Sequence, residues 1–486
     1  MSLKHRTLSA VRWTTTAAVV RTLLQLAQVA VLARLLTPDD YGLMAMVTVV
    51  LGFASLFADL GMNSAYMQRQ DVTSEQRSSL FWLNVGMSVL LAVLLVMASP
   101  FIAGYFNDNR LTPLLMLSAS TVVIGALGQQ VRMAAEKALD FRPVIQLEIG
   151  AALLGFIAAV ITASAGWGVY SLIVGSIVGA ASSSSFAWLF LARGWAPMWR
   201  CRFSDVRSYL GFGSALVANN VINQINMSID LLLGGRLLVA AQLGFYSMPR
   251  SLVLQLQFMV NPIVTRVGFP LIAQVQCDLP MVRAIYLKTL NMTASVNAPL
   301  YVGIAFFAPE LILIMLGDKW LSAVDLLRLL AVWGYLRSIG NLVGSLLLGL
   351  GRADLSLKWN LGLLCVVPPV LWAGSQFGSL GLAWALLGLS VTLFLPGWFV
   401  LVRPLCHTKL LEYSVAAIRP FCVAAISMVP AYWLLMHFDN VYLRLAIAFI
   451  VSTPLYLVLS YFANRGWVIA MVSLVLPGKV KVPDYP

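Results

Sequence analysis

Long uncharged apolar stretches set the rhythm of this chain. Residues 78–107 contain no charged side chain, and neither do 149–192 or 359–402. A bilayer span takes about 20 predominantly apolar residues. Each of the last two runs is therefore long enough for two spans and predicts a helical pair closed by a tight turn. AGWGVYS (165–171) and GSQFGSLG (374–381) supply glycines for those turns. Read the same way, the whole chain predicts about fourteen transmembrane helices, the first from about residue 13 and the last ending near 463. The alternating short segments of a β-barrel are absent, so the expected class is an all-α polytopic membrane protein. The basic start, MSLKHRTLSAVRW, reads as the flank of a retained first helix rather than a cleaved signal, because Arg21 interrupts the apolar run.

The pattern repeats. ARLLTPDDYGLMAM (33–46) lies over GRLLVAAQLGFYSM (235–248) at an offset of 202, with Arg34 on Arg236, Gly42 on Gly244 and Met46 on Met248. GVYSLIVG (168–175) lies over GLAWALLG (381–388), and the two long uncharged runs fall in corresponding places. The expected organisation is an N-terminal six-helix lobe (1–205), a second lobe repeating it (206–405), an extra helical pair (406–465) and a cytoplasmic tail (466–486). Six helices per lobe give both lobes the same orientation, so they form a parallel repeat around a central cavity, with a transport site expected between them. Within the repeated box, TPDDYG reads as a helix start. Thr37 is the cap, Pro38 lies in the first turn, and Asp39 and Asp40 sit at the positive end of the dipole.

Composition agrees with the span pattern. The chain has 486 residues, of which 60% are hydrophobic and 10% charged, and its mean hydropathy is +0.87. The net charge of +13 needs no nucleic-acid partner. With both termini in the cytoplasm, most of the 32 basic residues fall at cytoplasmic ends and loops. Only Arg34, Arg110, Arg236, Lys319 and Arg444 face the other side, as the positive-inside rule requires. Five cysteines in spans or cytoplasmic loops predict no disulfide. The three histidines have no metal-binding spacing, and no phosphate loop or nucleophile constellation is present, so no catalytic or metal residues are expected.

Against this apolar background NNVINQINMSID (219–230) stands out. Asn219, Asn223, Asn226 and Asp230 recur at helical spacing and predict one polar stripe on the seventh helix. At matching places in the first helix stand Arg21, Gln25 and Gln28. In the eighth, Arg250, Gln257 and Asn261 share a face, and Asp59 of the second helix maps onto Asn261. Polar groups in lipid are costly and face a bundle interior or a watery cavity, although Asn and Gln also serve as interhelical glue. The aligned stripes favour a lined cavity. Arg21, Arg250 and Arg337 lie deep in their helices, and their guanidinium forks suit an anionic, phosphate-bearing ligand. The alternative for Arg250 is a buried pair with Asp230. Asp230 and Asp59 are the candidates for holding a coupling ion.

ARLLTPDDYGLMAMV, FADLGMNSAYMQRQD (57–71), LFWLN (80–84), FAPELILIMLGDKW (307–320) and LGLGRADL (348–355) together resemble the polysaccharide-transporter branch of the multidrug/oligosaccharidyl-lipid/polysaccharide exporter superfamily, and within it the WzxC-like group of Wzx-type flippases. The resemblance covers about residues 1–400. It implies a multi-pass protein of the bacterial inner membrane that moves undecaprenyl-diphosphate-linked oligosaccharide repeat units from the cytoplasmic to the periplasmic leaflet. The arginines would then meet the diphosphate, and the Asn/Gln lining the sugar, with Trp82, Tyr209 and Tyr246 available for stacking. No cofactor is implied beyond a coupling proton or sodium ion. The expected partners are the lipid-linked substrate, the bilayer and polysaccharide polymerase or glycosyltransferase components, with a monomeric transport unit. The competing reading is a cation-coupled small-molecule (drug) exporter of the same superfamily, which should carry cavity carboxylates rather than arginines.

Overall fold

A computed structural model describes residues 20–59, 66–67, 72–138, 140–199, 203–435 and 437–469; side chains are not described at 59, 203–219, 262–270, 353 and 435. Among the described residues the regular structure is helical throughout, with no strand. Helix α1 covers 20–35. It is followed by α2 (Pro38–Asp59), α3 (Ser74–Phe106), α4 (Leu111–Lys137), α5 (Phe141–Ser164), α6 (Tyr170–Phe186, extended by a π turn), α7 (Phe203–Leu237) and α8 (Ala240–Gln274). Then come α9 (Leu279–Phe306), α10 (Ala308–Met315), α11 (Val324–Gly340), α12 (Leu342–Gly349), α13 (Ala353–Ser375), α14 (Gly378–Thr392, continued by short turns to Cys406), α15 (Leu410–Leu435) and α16 (Val441–Ala463). Nine helices among the described residues are long and apolar enough to cross a bilayer, or ten when α9 and α10, which meet at a bend of 79°, count as one broken span. This is an all-α polytopic membrane protein.

Local chemistry explains where the helices begin and end. Thr37 and Asp40 cap α2 reciprocally. The Asp40 amide donates to Thr37 Oγ1, while the Thr37 amide donates to Asp40 Oδ2 at 2.9 Å, so the start expected from TPDDYG is the one observed. Thr73 and Gln76 form the same reciprocal box at the start of α3, which ends on Asn107 in the left-handed region (φ 56°). The uncharged runs fold as the hairpins α5–α6 and α13–α14. Their turns use glycines at positive φ, Gly166 and Gly168 in one and Gly378 in the other. Small residues let the paired backbones approach: Gly155 lies against Gly175 and Gly179, and Gly374 against Gly381.

The chain divides into two compact units, Met1–Ser247 and Met248–Pro486. In the first unit, the starts of α2 and α8 cross backbone to backbone. A Cβ on Gly42 would stand 1.8 Å from the Ala240 carbonyl oxygen, and one on Gly244 would stand 1.7 Å from that of Pro38. Pro38 and Ala240 differ by 202, as do Gly42 and Gly244, so the contact is reciprocal in the register of the sequence repeat. Beside it, Arg236 at the end of α7 donates to the carbonyls of Gly104 and Tyr105 and, at 2.8 Å, to Asn107 Oδ1. It thereby gives the Tyr105 carbonyl a partner and the Gly104 carbonyl, which also accepts from the Asn107 amide, a second one. Arg110 bridges Asp39 at 2.6 Å and Asp108 at 2.7 Å. That bridge holds the Asp108 carboxyl below its usual range, because the carboxylate accepts hydrogen bonds from the guanidinium.

In the second unit, α9 packs with α11 and α15 around buried Tyr286, Tyr301, Tyr335 and Leu330. Arg444 donates to the Phe438 carbonyl at 2.6 Å and pairs with Glu310 at 3.4 Å, tying α16 to α10.

Candidate functional site

In the first unit the polar residues of α1 meet a charged patch. Arg21, whose side chain is 62% exposed, stands 3.7 Å from Glu148 Oε2 of α5, itself 40% exposed. Gln25 is exposed and Gln28 half-buried on the same helix. Arg132 of α4 donates to Ser183 Oγ of α6 at 2.8 Å, and the charges of Glu148 and Glu136 both act on it. One turn from Arg132, Gln129 accepts a hydrogen bond from Asn84 Nδ2 of α3 at 3.1 Å. Arg132, Glu136, Glu148, Asn84 and Gln129 are absent from the expected site. Counting Arg132 as a membrane-end charge hid its partner. The available signal was the presence of Asn84 and Gln129 inside otherwise apolar spans.

The α7 stripe changes character along its length. Asn223 is exposed, Asn226 half-buried and Asp230 only 3% exposed. The Tyr246 hydroxyl, fully buried, donates to Asp230 Oδ2 at 2.7 Å. Tyr246 therefore supports a buried carboxylate and offers no face to a sugar. Gln224 Nε2 donates to Ser228 Oγ at 3.1 Å on a neighbouring face. Asn219 lies in α7 and Asp59 ends α2, but their side chains, like that of Tyr209, fall outside the described residues. Trp82 is half-buried, stacked on Trp199 with ring centroids 4.7 Å apart, and its indole nitrogen donates to the Met198 carbonyl.

In the second unit, Arg250 on α8 is half-buried, whereas Gln257 and Asn261 are 4% and 2% exposed. Asn261 sits in a closed network. Its Nδ2 donates to the Ser338 carbonyl at 3.0 Å, and its Oδ1 accepts from Ser338 Oγ at 2.9 Å and from Asn297 Nδ2 at 3.4 Å. These bonds join α8, α9 and α11 in the manner of interhelical glue. One turn below Ser338 along α11, a Cβ on Gly334 would meet Val253 Cγ1 at 2.2 Å and Tyr301 Cε1 at 2.8 Å, so the three helices pack as closely as glycine allows. Arg337 is half-buried with its guanidinium 5.3 Å from the Trp333 ring centroid. Among the described residues no group of His, Cys, Asp and Glu could hold a metal ion, and the four described cysteines are free.

An uncompensated apolar environment would exclude groups as exposed as Arg21 and Glu148 from a membrane helix. With Arg132 and Glu136 beside them, the first unit presents a polar face of both signs. Residues 31–325 match the family described as polysaccharide biosynthesis protein. The chain belongs to that family. The resemblance read from its motifs is borne out, and with it the chain is a membrane transporter of polysaccharide biosynthesis rather than an enzyme. Among similar proteins, the teichuronic acid biosynthesis protein TuaB of Bacillus subtilis (strain 168) is 32% identical, covering 94% of this chain and 96% of TuaB. The lipopolysaccharide biosynthesis protein WzxC of Escherichia coli (strain K12) is 29% identical over 89% of this chain and 88% of WzxC. The succinoglycan biosynthesis transport protein ExoT of Rhizobium meliloti (strain 1021) is 24% identical over 91% and 90%. The fold is that of the lipid II flippase MurJ in its inward closed conformation, with a TM-score of 0.72, 13% identity, and coverage of 94% of this chain and 99% of MurJ.

Proposed function

We propose that this protein is a flippase. It carries undecaprenyl-diphosphate-linked oligosaccharide repeat units from the cytoplasmic to the periplasmic leaflet of a bacterial inner membrane, for exopolysaccharide, capsule or O-antigen assembly. The observation that carries the reading is the exposed Arg21–Glu148 pair, which brings opposite charges together from two membrane helices: a polar path serves cargo whose head is polar and charged. Arg21, Arg250 and Arg337 are the diphosphate ligands in this reading. Gln25, Gln28, Asn219, Asn223 and Asn226 meet the sugar, while the buried positions Gln257 and Asn261 shape the wall behind it. The two parallel six-helix lobes, about 1–205 and 206–405, alternate access to the two faces, with the pair 406–465 attached and both termini cytoplasmic. One chain is the transport unit, and polymerase and glycosyltransferase components act as its neighbours.

Asp230, held by Tyr246, is the proposed seat of a coupling proton or sodium ion, with Asp59 its repeat-related companion. A buried carboxylate of this kind also suits a cation-coupled drug exporter, and one experiment separates the two readings. Lipid-linked oligosaccharide is quantified on each leaflet in cells with and without the protein. The flippase reading expects single repeat units to accumulate on the cytoplasmic leaflet, relieved by wild type but not by Arg21→Ala or Arg250→Ala at matched expression. An unchanged pool, with altered resistance to cationic dyes instead, would replace it with the exporter.

A further inference from the structure

We infer that Glu148 is a resident counter-anion, a carboxylate that occupies Arg21 while no cargo is bound and that the cargo's diphosphate displaces. This deepens the flippase reading and rests on it. Arg21 and Glu148 stand 3.7 Å apart. That separation lies beyond hydrogen-bond contact, so the two groups attract without a fork being closed. By contrast, Arg110 grips Asp39 at 2.6 Å, and Arg283 donates to both oxygens of Glu412. Arg21, 62% exposed, thus closes no fork on Glu148 and can take up the bidentate geometry that phosphate oxygens offer.

The surroundings favour exchange over a fixed pair. Glu148 acts on two cations, Arg21 of α1 and Arg132 of α4, and shares that field with Glu136 of α4. Two carboxylates and two guanidinium groups leave the patch without net charge. An arginine facing water inside a membrane is costly when nothing balances it, and Glu148 supplies the balance in the empty state. A half-exposed pair is also the weakest class of salt bridge, so a ligand carrying two charged phosphates outcompetes it. Glu148 then acts as a threshold. Neutral lipids gain nothing by displacing it, whereas diphosphates do. It is a specificity-determining residue rather than a direct ligand.

The test uses the full chain in detergent with farnesyl diphosphate as probe and farnesol as its uncharged counterpart. Glu148→Gln, which removes the charge and keeps the shape, is expected to bind farnesyl diphosphate about two- to fivefold tighter, the range set by a half-exposed ion pair. Farnesol binding stays unchanged. Glu148→Asp, which keeps the charge, binds like wild type and guards against a folding defect in the first variant. In an Arg21→Ala background, Glu148→Gln brings a smaller gain, because the Arg21 interaction is already gone and only the one with Arg132 remains. Unchanged or weaker diphosphate binding by a folded Glu148→Gln would overturn the inference, and so would a gain that is undiminished without Arg21. If Arg21→Ala weakens binding while Glu148→Gln changes nothing, the counter-anion fails and the flippase reading stands. If wild type binds farnesyl diphosphate no better than farnesol, both fail together.

Discussion

Replacing Gly42 by alanine tests the most demanding contact in the first unit. The new methyl carbon would lie 1.8 Å from the Ala240 carbonyl oxygen and 2.6 Å from its carbon, where real Cβ atoms essentially never come under 3.0 Å. No rotamer relieves this, since both partners are backbone. The α2 and α8 starts must part by more than an ångström, and α2 also anchors Asp39 to Arg110. Overpacking costs about 1–3 kcal/mol, and a backbone neighbour places this case at the upper end. For a unit of about this length each kcal/mol lowers the melting midpoint by about 2–4 °C, so Gly42→Ala should melt about 5–10 °C below wild type in detergent. Gly244→Ala, 1.7 Å from the Pro38 oxygen, should match it. The double variant should cost clearly less than the sum, because parting the helices for one methyl makes room for the other. Gly86→Ala, which meets nothing within 4 Å, is the control and should be neutral or slightly stabilising. If Gly42→Ala and Gly244→Ala melt with that control, the crossing is not tight and the reasoning from the repeat register fails.

Other perturbations follow from single contacts. Tyr246→Phe removes a hydrogen bond from a buried carboxylate and should cost about 1–3 kcal/mol; thermal unfolding against wild type measures it, and no loss would mean the hydroxyl is not needed. Asn261→Leu breaks the network with Ser338 and Asn297 and should cost a comparable amount, read in the same assay, since it strands their buried polar atoms. The Asp108 carboxyl is held below its usual range by Arg110, so its stabilising share is present above about pH 4, the unfolded carboxylate value, and is lost as pH falls through the lower folded value. Melting midpoints of wild type and Asp108→Asn should therefore differ at neutral pH and converge below about pH 4. A difference that stays constant with pH would show that charge is not the cause. Arg236→Ala removes the donor to the Tyr105 carbonyl and to Asn107 at the end of α3 and should lower stability by about 1 kcal/mol without changing the pH profile.

Much of the fold was legible because bilayer chemistry is simple. Span length and uncharged runs located α3, the α5–α6 hairpin and the α13–α14 hairpin, and TPDDYG located the start of α2 through its capping box. The spacing of the α7 stripe was also visible, but what each residue meets was not. Period alone cannot tell that Asn223 is exposed while Asp230, two turns on, is buried beneath Tyr246. Nor does Gln257 or Asn261 differ in pattern from Gln25, although the first two are buried and the third is exposed. For Asn261 that difference comes from Ser338 and Asn297, contributed by helices far along the chain. Glu148 was missed for a related reason. It borders an uncharged run and reads as an end charge until α1 is laid beside α5.

The two copies of the RLL box keep what backbone geometry demands and vary what chemistry permits. At 42 and 244 glycine stands in both copies because each opposes a carbonyl of the other, and any side chain there parts the helices. One turn earlier, at 38 and 240, proline and alanine are interchangeable, since only their carbonyls take part. The polar stripes follow no such constraint. Arg21 maps onto Asn223, and Gln28 onto Asp230, so a cation with an exposed partner on one helix becomes a neutral amide on the other, and an amide becomes a buried carboxylate. A symmetric scaffold that carries asymmetric charge suits a transporter. On the proposed reading an anionic head and a coupling ion each take their own site, so the two stripes have no reason to match.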